Sequence, residues 1–275
     1  MIHIIENEFL QLTVTCEGGT IVSLIDKKTG EERLWQGEEF WKSRDVVIFP
    51  IIGHANPYKS CGKEYAPKSH GVVRYSVLTV AEKTASKIKL ALESSEETLK
   101  TYPYEFNFAI TYELFDDTLK VSYFVASKQG KIPFYLGGHP GLKAPGGSAV
   151  IEFENTENPI IYPINSADAI PLQNLQRFVA DKEFFKECKT FQLGSLTGGE
   201  IYAHTQDGYT YTFKSDCPVV AFWSHEDGGD YVCVEPWWGI NDFDGAPREI
   251  TLKPFINLAN ENGVEYFYTL KINKN

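Results

Sequence analysis

An all-β fold, arranged as a sandwich or barrel, is the architecture this 275-residue sequence predicts, and three observations carry the prediction. Apolar residues recur with a period of two rather than about 3.6. Turn-forming residues punctuate the chain at short intervals, as in many-stranded antiparallel folds. Helical patterning is confined to two short segments. Taken in order, Phe9 to Thr15 (FLQLTVT) alternates and reads as a strand, followed by turn signals at Glu17-Gly18-Gly19 and Lys28-Thr29-Gly30. Glu38 to Lys42 is a short helical candidate. Lys87 to Glu93 (KIKLALE) alternates again. Phe106 to Leu114 and Leu119 to Ala126, rich in β-branched and aromatic residues, read as strands on either side of Asp116-Asp117. Val179 to Glu187, with Phe184 and Phe185 before Cys188, is the main helical candidate. Tyr209 to Phe213 is a further strand, between turn signals at Asp207-Gly208 and Asp227-Gly228-Gly229. No repeat, low-complexity tract or Pro/Ser-rich linker interrupts the chain, so residues 1–275 are expected to form a single domain.

Composition narrows the function classes. With 43% hydrophobic and 23% charged residues the chain has the makeup of an ordinary globular protein. Its net charge of -11, with no Lys/Arg run to offset it, argues against nucleic acid or an anionic membrane as a partner. The longest apolar stretches, such as Val46 to Gly53, fall far short of the ~20 residues that span a bilayer. Met1 to Leu10 carries Glu6 and Glu8 and lacks the basic start and apolar run of a signal peptide, so a cytoplasmic location is expected. The cysteines (Cys16, Cys61, Cys188, Cys217, Cys233) are odd in number and lack C-x-x-C spacing, which predicts free, mostly buried thiols rather than a disulfide framework or structural zinc site.

Three segments could carry chemistry. In Tyr231-Val232-Cys233-Val234-Glu235-Pro236-Trp237-Trp238-Gly239, an extended strand puts Tyr231, Cys233 and Glu235 on one face and Val232 and Val234 on the other. Pro236 is expected to leave Glu235 at the strand's end, on a rim beside indoles. Partial desolvation by Val234 and Trp237 would raise its pKa toward that of a general base; an ordinary strand-end Glu would instead face solvent. In Phe134-Tyr135-Leu136-Gly137-Gly138-His139-Pro140-Gly141, three glycines permit close approach and Pro140 fixes the chain beside an imidazole that can exchange protons near neutrality. A turn His serving only local hydrogen bonds is the alternative. In Ser69-His70-Gly71-Val72-Val73-Arg74, a strand through Val72 and Val73 would aim His70 and Arg74 to one side, toward a polar ligand, unless Arg74 merely pairs with a surface carboxylate. Trp223, Trp237 and Trp238, clustered late in the chain, suit a flat ligand or an ordinary core. Asn241 to Gly245 offers oxygen atoms without the rest of an EF-hand loop and reads as a turn. His204 and His225 are not at metal-pair spacing, and no P-loop, dinucleotide fingerprint or G-x-S-x-G elbow is present.

Together these segments resemble the aldose 1-epimerase (galactose mutarotase-like) family, most closely its bacterial LacX-like branch, over nearly the whole chain. Gly18 to Leu24 with Leu34-Trp35 and Phe40-Trp41 is similar to the branch's first strands, and Phe49 to Gly53 to its F-P-x-x-G turn. His70-Gly71-Val72-Val73-Arg74 stands for H-G-x-x-R, Gly137-Gly138-His139-Pro140 for G-G-H-P, and Val234 to Ile240 for x-E-P-W-x-G-x, with Phe222-Trp223-Ser224 before it. The resemblance implies a large antiparallel β-sandwich of the galactose mutarotase type, with few short helices, whose concave face binds a sugar and interconverts its α and β anomers. It implies Glu235 as general base, His139 as general acid, His70 as a group that binds and polarises the sugar, and Arg74 at the site. Where the branch commonly has an Arg contacting sugar hydroxyls, this chain has His54. For the family's further carboxylate, an Asp before the late helix, Asp181 is the candidate.

The chemistry suits these residues. Mutarotation takes a proton from the anomeric hydroxyl and gives one to the ring oxygen, after which the open aldehyde rotates and recloses. A positioned acid and base, each typically contributing ~10² to 10⁴ in rate, require no metal or organic cofactor. Trp223 and Trp237 can stack on a pyranose face. Two alternatives stand beside this reading: a carbohydrate-binding protein without turnover, given His54 and the aromatic face, and a hexose-6-phosphate 1-epimerase, given Arg74 with Lys59 and His54.

Overall fold

Period-two patterning becomes alternating burial in the computed structural model, which describes residues 1–53, 57–242 and 247–274. In Leu10–Thr15 the side chains of Leu10, Leu12 and Val14 are buried while their neighbours are not, as expected of a strand with one face on a core. Strand accounts for 51% of the residues and helix for 7%, so the fold is all-β.

Among the described residues the strands form two large sheets, and every strand pairing is antiparallel. A nine-stranded sheet runs, in spatial order, Leu175–Ala180, Ala149–Glu157, Ile201–Thr205, Tyr209–Ser215, Val264–Lys274, Thr118–Ser127, Phe106–Phe115, Lys87–Glu93 and Thr79–Lys83. An eight-stranded sheet runs Ile170–Pro171, Ile160–Ile161, Thr190–Gly194, Val219–Trp223, Tyr231–Trp238, Leu136–Gly138 and Val47–Ile48, with Gly141–Lys143 also paired to Tyr231–Trp238. One buried cluster takes Phe108, Val121 and Tyr268 from the first sheet and Leu193, Phe222, Val232 and Val234 from the second, which defines a sandwich. Tyr231, Cys233 and Trp237 belong to other clusters on the opposite face of the second sheet, with Trp35, Val46 and Ile48. The strand through Glu235 therefore divides as its sequence predicts.

The helices depart from expectation. Glu38 to Lys42 is an irregular loop: Gly37 enters it at φ +74°, and the Trp35 indole N–H donates to the Trp41 carbonyl at 2.7 Å. The late helix spans Lys182–Cys188, and Val179 belongs to the preceding strand. A one-turn helix at Glu96–Leu99, closed by a Ser95/Thr98 capping box, escaped the period-based reading. All five cysteines are free; Cys16 and Cys233 are buried, Cys61 is exposed, and the other two are half-buried, so burial is less general than expected.

Candidate functional site

Glu235 lies in the middle of the Tyr231–Trp238 strand and is only 1% exposed, which corrects its expected place on a rim at the strand's end and sets aside the solvent-facing alternative. Pro236 does not end the strand, because the neighbouring chain is itself interrupted at that level. Leu136 and Gly137 pair with Trp238 and Trp237, and Gly141 to Lys143 pair with Cys233 to Tyr231. The register is the same on both sides of the gap, so His139 falls directly across from Glu235. Pro140 and Pro236 have no N–H to donate, and the ladder opens there without orphaning a donor. Side chains directly opposite on adjacent antiparallel strands share a face. His139 Nδ1 accordingly sits 3.4 Å from Glu235 Oε2, and neither atom has a hydrogen-bond partner.

The surroundings hold the imidazole still. The Trp41 ring stacks on it with centroids 4.9 Å apart, while His70 and Trp223 meet it edge-on at 5.4 and 5.5 Å. Gly141 permits this arrangement: a Cβ there would lie 2.5 Å from the Trp41 ring. The buried Asp45 carboxylate accepts the N–H of Ile21 at 3.0 Å and is hydrogen-bonded to the backbone of Val46 and His139, which anchors the loop bearing the imidazole. Burial pushes the Asp45 carboxyl up to about 6 despite those amides.

Burial also drives the pair toward neutrality. It holds the Glu235 carboxyl well above the usual range; the Trp237 indole tempers the rise without closing a hydrogen bond, and Asp45 adds to it. It holds the His139 imidazole well below its ordinary value, and the neighbouring His70 and Arg74 side chains push the same way. The raised Glu235 matches expectation; the lowered His139 does not.

His70 and Arg74 reach the site by a route other than the expected strand. His70 and Gly71 adopt φ of +63° and +84°, and Val73–Tyr75 is a 3-10 turn. A Cβ on Gly71 would come within 2.2 Å of the Phe49 carbonyl oxygen, so only glycine lets the chain pass there. The Gly53 N–H donates to His70 Nδ1 at 3.3 Å, which leaves the neutral ring's proton on Nε2. Arg74 donates to Ser43 Oγ at 3.1 Å.

These side chains line one cleft of about 270 Å³, which takes in Trp41, Gly53, Ser69, His70, Arg74, His139, Thr190, Trp223, Glu235, Trp237 and Asn241. Asn241 is set by Gln192, whose amide donates to the Asn241 carbonyl at 3.2 Å and accepts the Asn241 N–H at 2.9 Å. A separate cavity of about 160 Å³ behind the same strand, against Val234 and Pro236, faces away from the His–Glu pair. Among the described residues, one group could hold a metal ion: His139, Cys233 and Glu235, whose ligand atoms lie within 4.8 Å of one another.

A sequence model of the aldose 1-epimerase family matches residues 1–239, a span that includes the whole strand bearing Glu235 and the loop bearing His139. The chain belongs to the aldose 1-epimerase family. Protein LacX of Lactococcus lactis is 24% identical over 264 residues, covering 86% of this chain and 87% of its own. A galactose mutarotase related enzyme from Lactobacillus acidophilus superposes with a TM-score of 0.92 at 26% identity, covering 99% of this chain and 97% of that one. A galactose mutarotase-like protein from Lactobacillus casei gives 0.91 at 24% identity, covering 99% and 100%. Epimerase-family membership makes the chain an isomerase by class, with carbohydrate as its field of chemistry.

Of the site residues read from sequence, this epimerase-family cleft gathers Glu235, His139, His70, Arg74, Trp223 and Trp237. His54 lies outside the described residues. Asp181 does not line the cleft: its carboxylate accepts the Phe184 N–H at 2.9 Å as the N-cap of Lys182–Cys188, so its expected contact with sugar is corrected to a structural role. Lys59 is also elsewhere, donating its N–H to the Arg248 carbonyl. Trp41, Thr190, Asn241 and the anchor Asp45 were missed as site residues. Only Trp41 had a signal, as part of the Phe40-Trp41 pair in the family resemblance.

Proposed function

We propose that this protein is an aldose 1-epimerase that interconverts the α and β anomers of a free aldose by acid-base opening and reclosure of the ring. The observation that carries this reading is the opposed His139–Glu235 pair, buried yet lining a sugar-sized cleft, with facing atoms 3.4 Å apart and unpartnered. Burial favours neutral Glu235 and neutral His139. Moving one proton across that contact, from Oε2 to Nδ1, creates a carboxylate base and an imidazolium acid without exchange with solvent. Glu235 then takes the proton from the anomeric hydroxyl while His139 Nε2–H protonates the ring oxygen. The aldehyde turns about its C1–C2 bond, and reclosure returns each proton along the path it came. His70, with its proton on Nε2, is placed to donate to a sugar oxygen, and Trp41 and Trp223 offer aromatic faces for its C–H surface. Nothing in this scheme calls for a metal or organic cofactor.

The test is polarimetry of freshly dissolved α-glucose and α-galactose. Wild type should accelerate relaxation; Glu235→Gln and His139→Asn should each lower kcat by ~10² to 10⁴ with a smaller effect on KM. If wild type matched buffer for every aldose tried while still binding it, the non-catalytic carbohydrate-binding reading would replace this one.

A second reading changes only the substrate. Arg74 lines both the cleft and an adjoining open concavity of about 490 Å³ that presents Lys42 and Arg44 alongside Glu17 and Asp45, and the excess of cations there favours an aldose carrying an anionic group such as a 6-phosphate. Comparing relaxation rates of glucose and glucose 6-phosphate separates the two. The core shared by both large sheets supports treating residues 1–275 as one domain.

A further inference from the structure

We infer that His139, Cys233 and Glu235 form a binding site for a thiophilic divalent cation such as Zn²⁺, and that metal and sugar occupy the cleft in alternation. Cys233 plays no part in the proton transfers and does not line the cleft, yet it shares the face of Glu235 two residues away on the same strand. Its sulfur, an imidazole nitrogen and a carboxylate oxygen lie within 4.8 Å of one another. Zinc holds thiolate at about 2.3 Å and nitrogen or oxygen at about 2.0–2.2 Å, which sets tetrahedral ligands roughly 3.3–3.7 Å apart. His139 Nδ1 and Glu235 Oε2 already stand at 3.4 Å. The sulfur, within 4.8 Å of both partners, completes the set by closing to bonding distance of the ion.

Two features point to a ligand rather than to packing. His139 and Glu235 are 6% and 1% exposed, and each aims a buried, unpartnered atom at the same space. Such atoms are costly to leave bare and are satisfied by whatever enters. The donor set, one soft sulfur with one imidazole and one carboxylate, suits zinc or cobalt and not magnesium or calcium. Three protein ligands leave a fourth position on the cleft side for water. Binding converts the thiol and the carboxylic acid to thiolate and carboxylate, releases two protons to solvent and draws no electrons, so affinity rises with pH. Metal bound in this way removes both the acid and the base.

The inference of alternation rests on the reading of the cleft as a sugar site; metal binding itself does not. Titration of the intact protein with Co²⁺ should give a thiolate-to-cobalt charge-transfer band, and Zn²⁺ should displace it. Cys233→Ser should abolish the band and weaken Zn²⁺ binding by at least ~100-fold. Glu235→Gln, which keeps the sulfur, should retain a weakened band, and it decides the matter if the serine variant does not fold. In polarimetry, Zn²⁺ should inhibit competitively with sugar, reversibly by chelator, and at far higher concentration in Cys233→Ser. A band that persists in Cys233→Ser, or no band in wild type, overturns the metal site and leaves the epimerase reading intact. A Cys233-dependent band in a protein that never relaxes a sugar overturns the epimerase reading and leaves the metal site intact.

Discussion

Replacing Glu235 by Gln should raise the protein's stability at neutral pH while abolishing most of its activity, and the pH dependence of that gain is calculable. Glu235 is 1% exposed, and burial holds its carboxyl well above the ordinary 4.5. In the unfolded chain the same group ionises near that ordinary value. As pH climbs above it, the unfolded state gains ionisation free energy that the folded state forgoes. A raised folded pKa thus contributes stability that is complete below 4.5 and is lost as pH rises toward the folded value. The loss is about 1.4 kcal/mol per pH unit for one proton. For a chain of this size that is about 3 °C in Tm per unit. Gln has the shape of the protonated acid and does not titrate, so the difference between the two proteins isolates this one group. Thermal unfolding at pH 4.5, 5.5 and 6.5 should show Glu235→Gln pulling ahead of wild type as pH rises, by up to about 3 °C per unit while pH stays below the folded value. A difference that stays flat across these three pH values would refute the reasoning, because it would mean that the carboxylate is ionised in the folded protein from the outset.

Other outcomes follow from the same geometry. The lowered His139 makes wild type lose stability as pH falls below 6.5, and His139→Asn should flatten that limb of the Tm–pH curve along with its loss of kcat. Trp41→Ala removes the ring stacked on His139 and a wall of the cleft; KM for sugar should rise about tenfold, and sugar-induced change in tryptophan fluorescence should diminish. Asp181→Ala should cost about 1 kcal/mol in denaturant unfolding and leave kcat and KM unchanged, whereas a raised KM would restore it to the sugar site. Dialysis against a chelator should leave activity intact; a loss restored by zinc would make His139 and Glu235 metal ligands in the working enzyme rather than acid and base.

Much of the site was legible because it sits on regular structure. The alternation of Tyr231, Cys233 and Glu235 against Val232 and Val234 needs only the two-residue period of a strand, and the fold bears it out. What failed were inferences about where regularity stops. Pro236 read as leaving Glu235 at the strand's end because the residue before a proline is held extended, but the strand runs on through Trp238, which pairs with Leu136 beyond the gap. His70 and Gly71 read as extended, and the left-handed backbone of a non-glycine residue has no reliable mark in sequence. Asp181 did carry a signal: an Asp immediately before a helical run is an N-cap signature, and that local role outweighed its distant candidacy. Trp41 was marked only by the Phe40-Trp41 pair of the family resemblance and not by any pattern of its own, because its loop has no period and its position depends on Trp35 and Gly141, far apart in the chain.

The placement of His139 across from Glu235 by strand register has a bearing on how heterogeneous preparations of this protein should be interpreted. Sliding one strand past the other by a single residue would turn the carboxylate or the imidazole to the inter-sheet side, so there is no slightly misaligned arrangement in which the two still face each other. Specific activity then counts correctly zipped molecules rather than grading their quality. A refolded sample with half the turnover of native material should contain half as many competent active sites, each working at full speed with an unaltered KM.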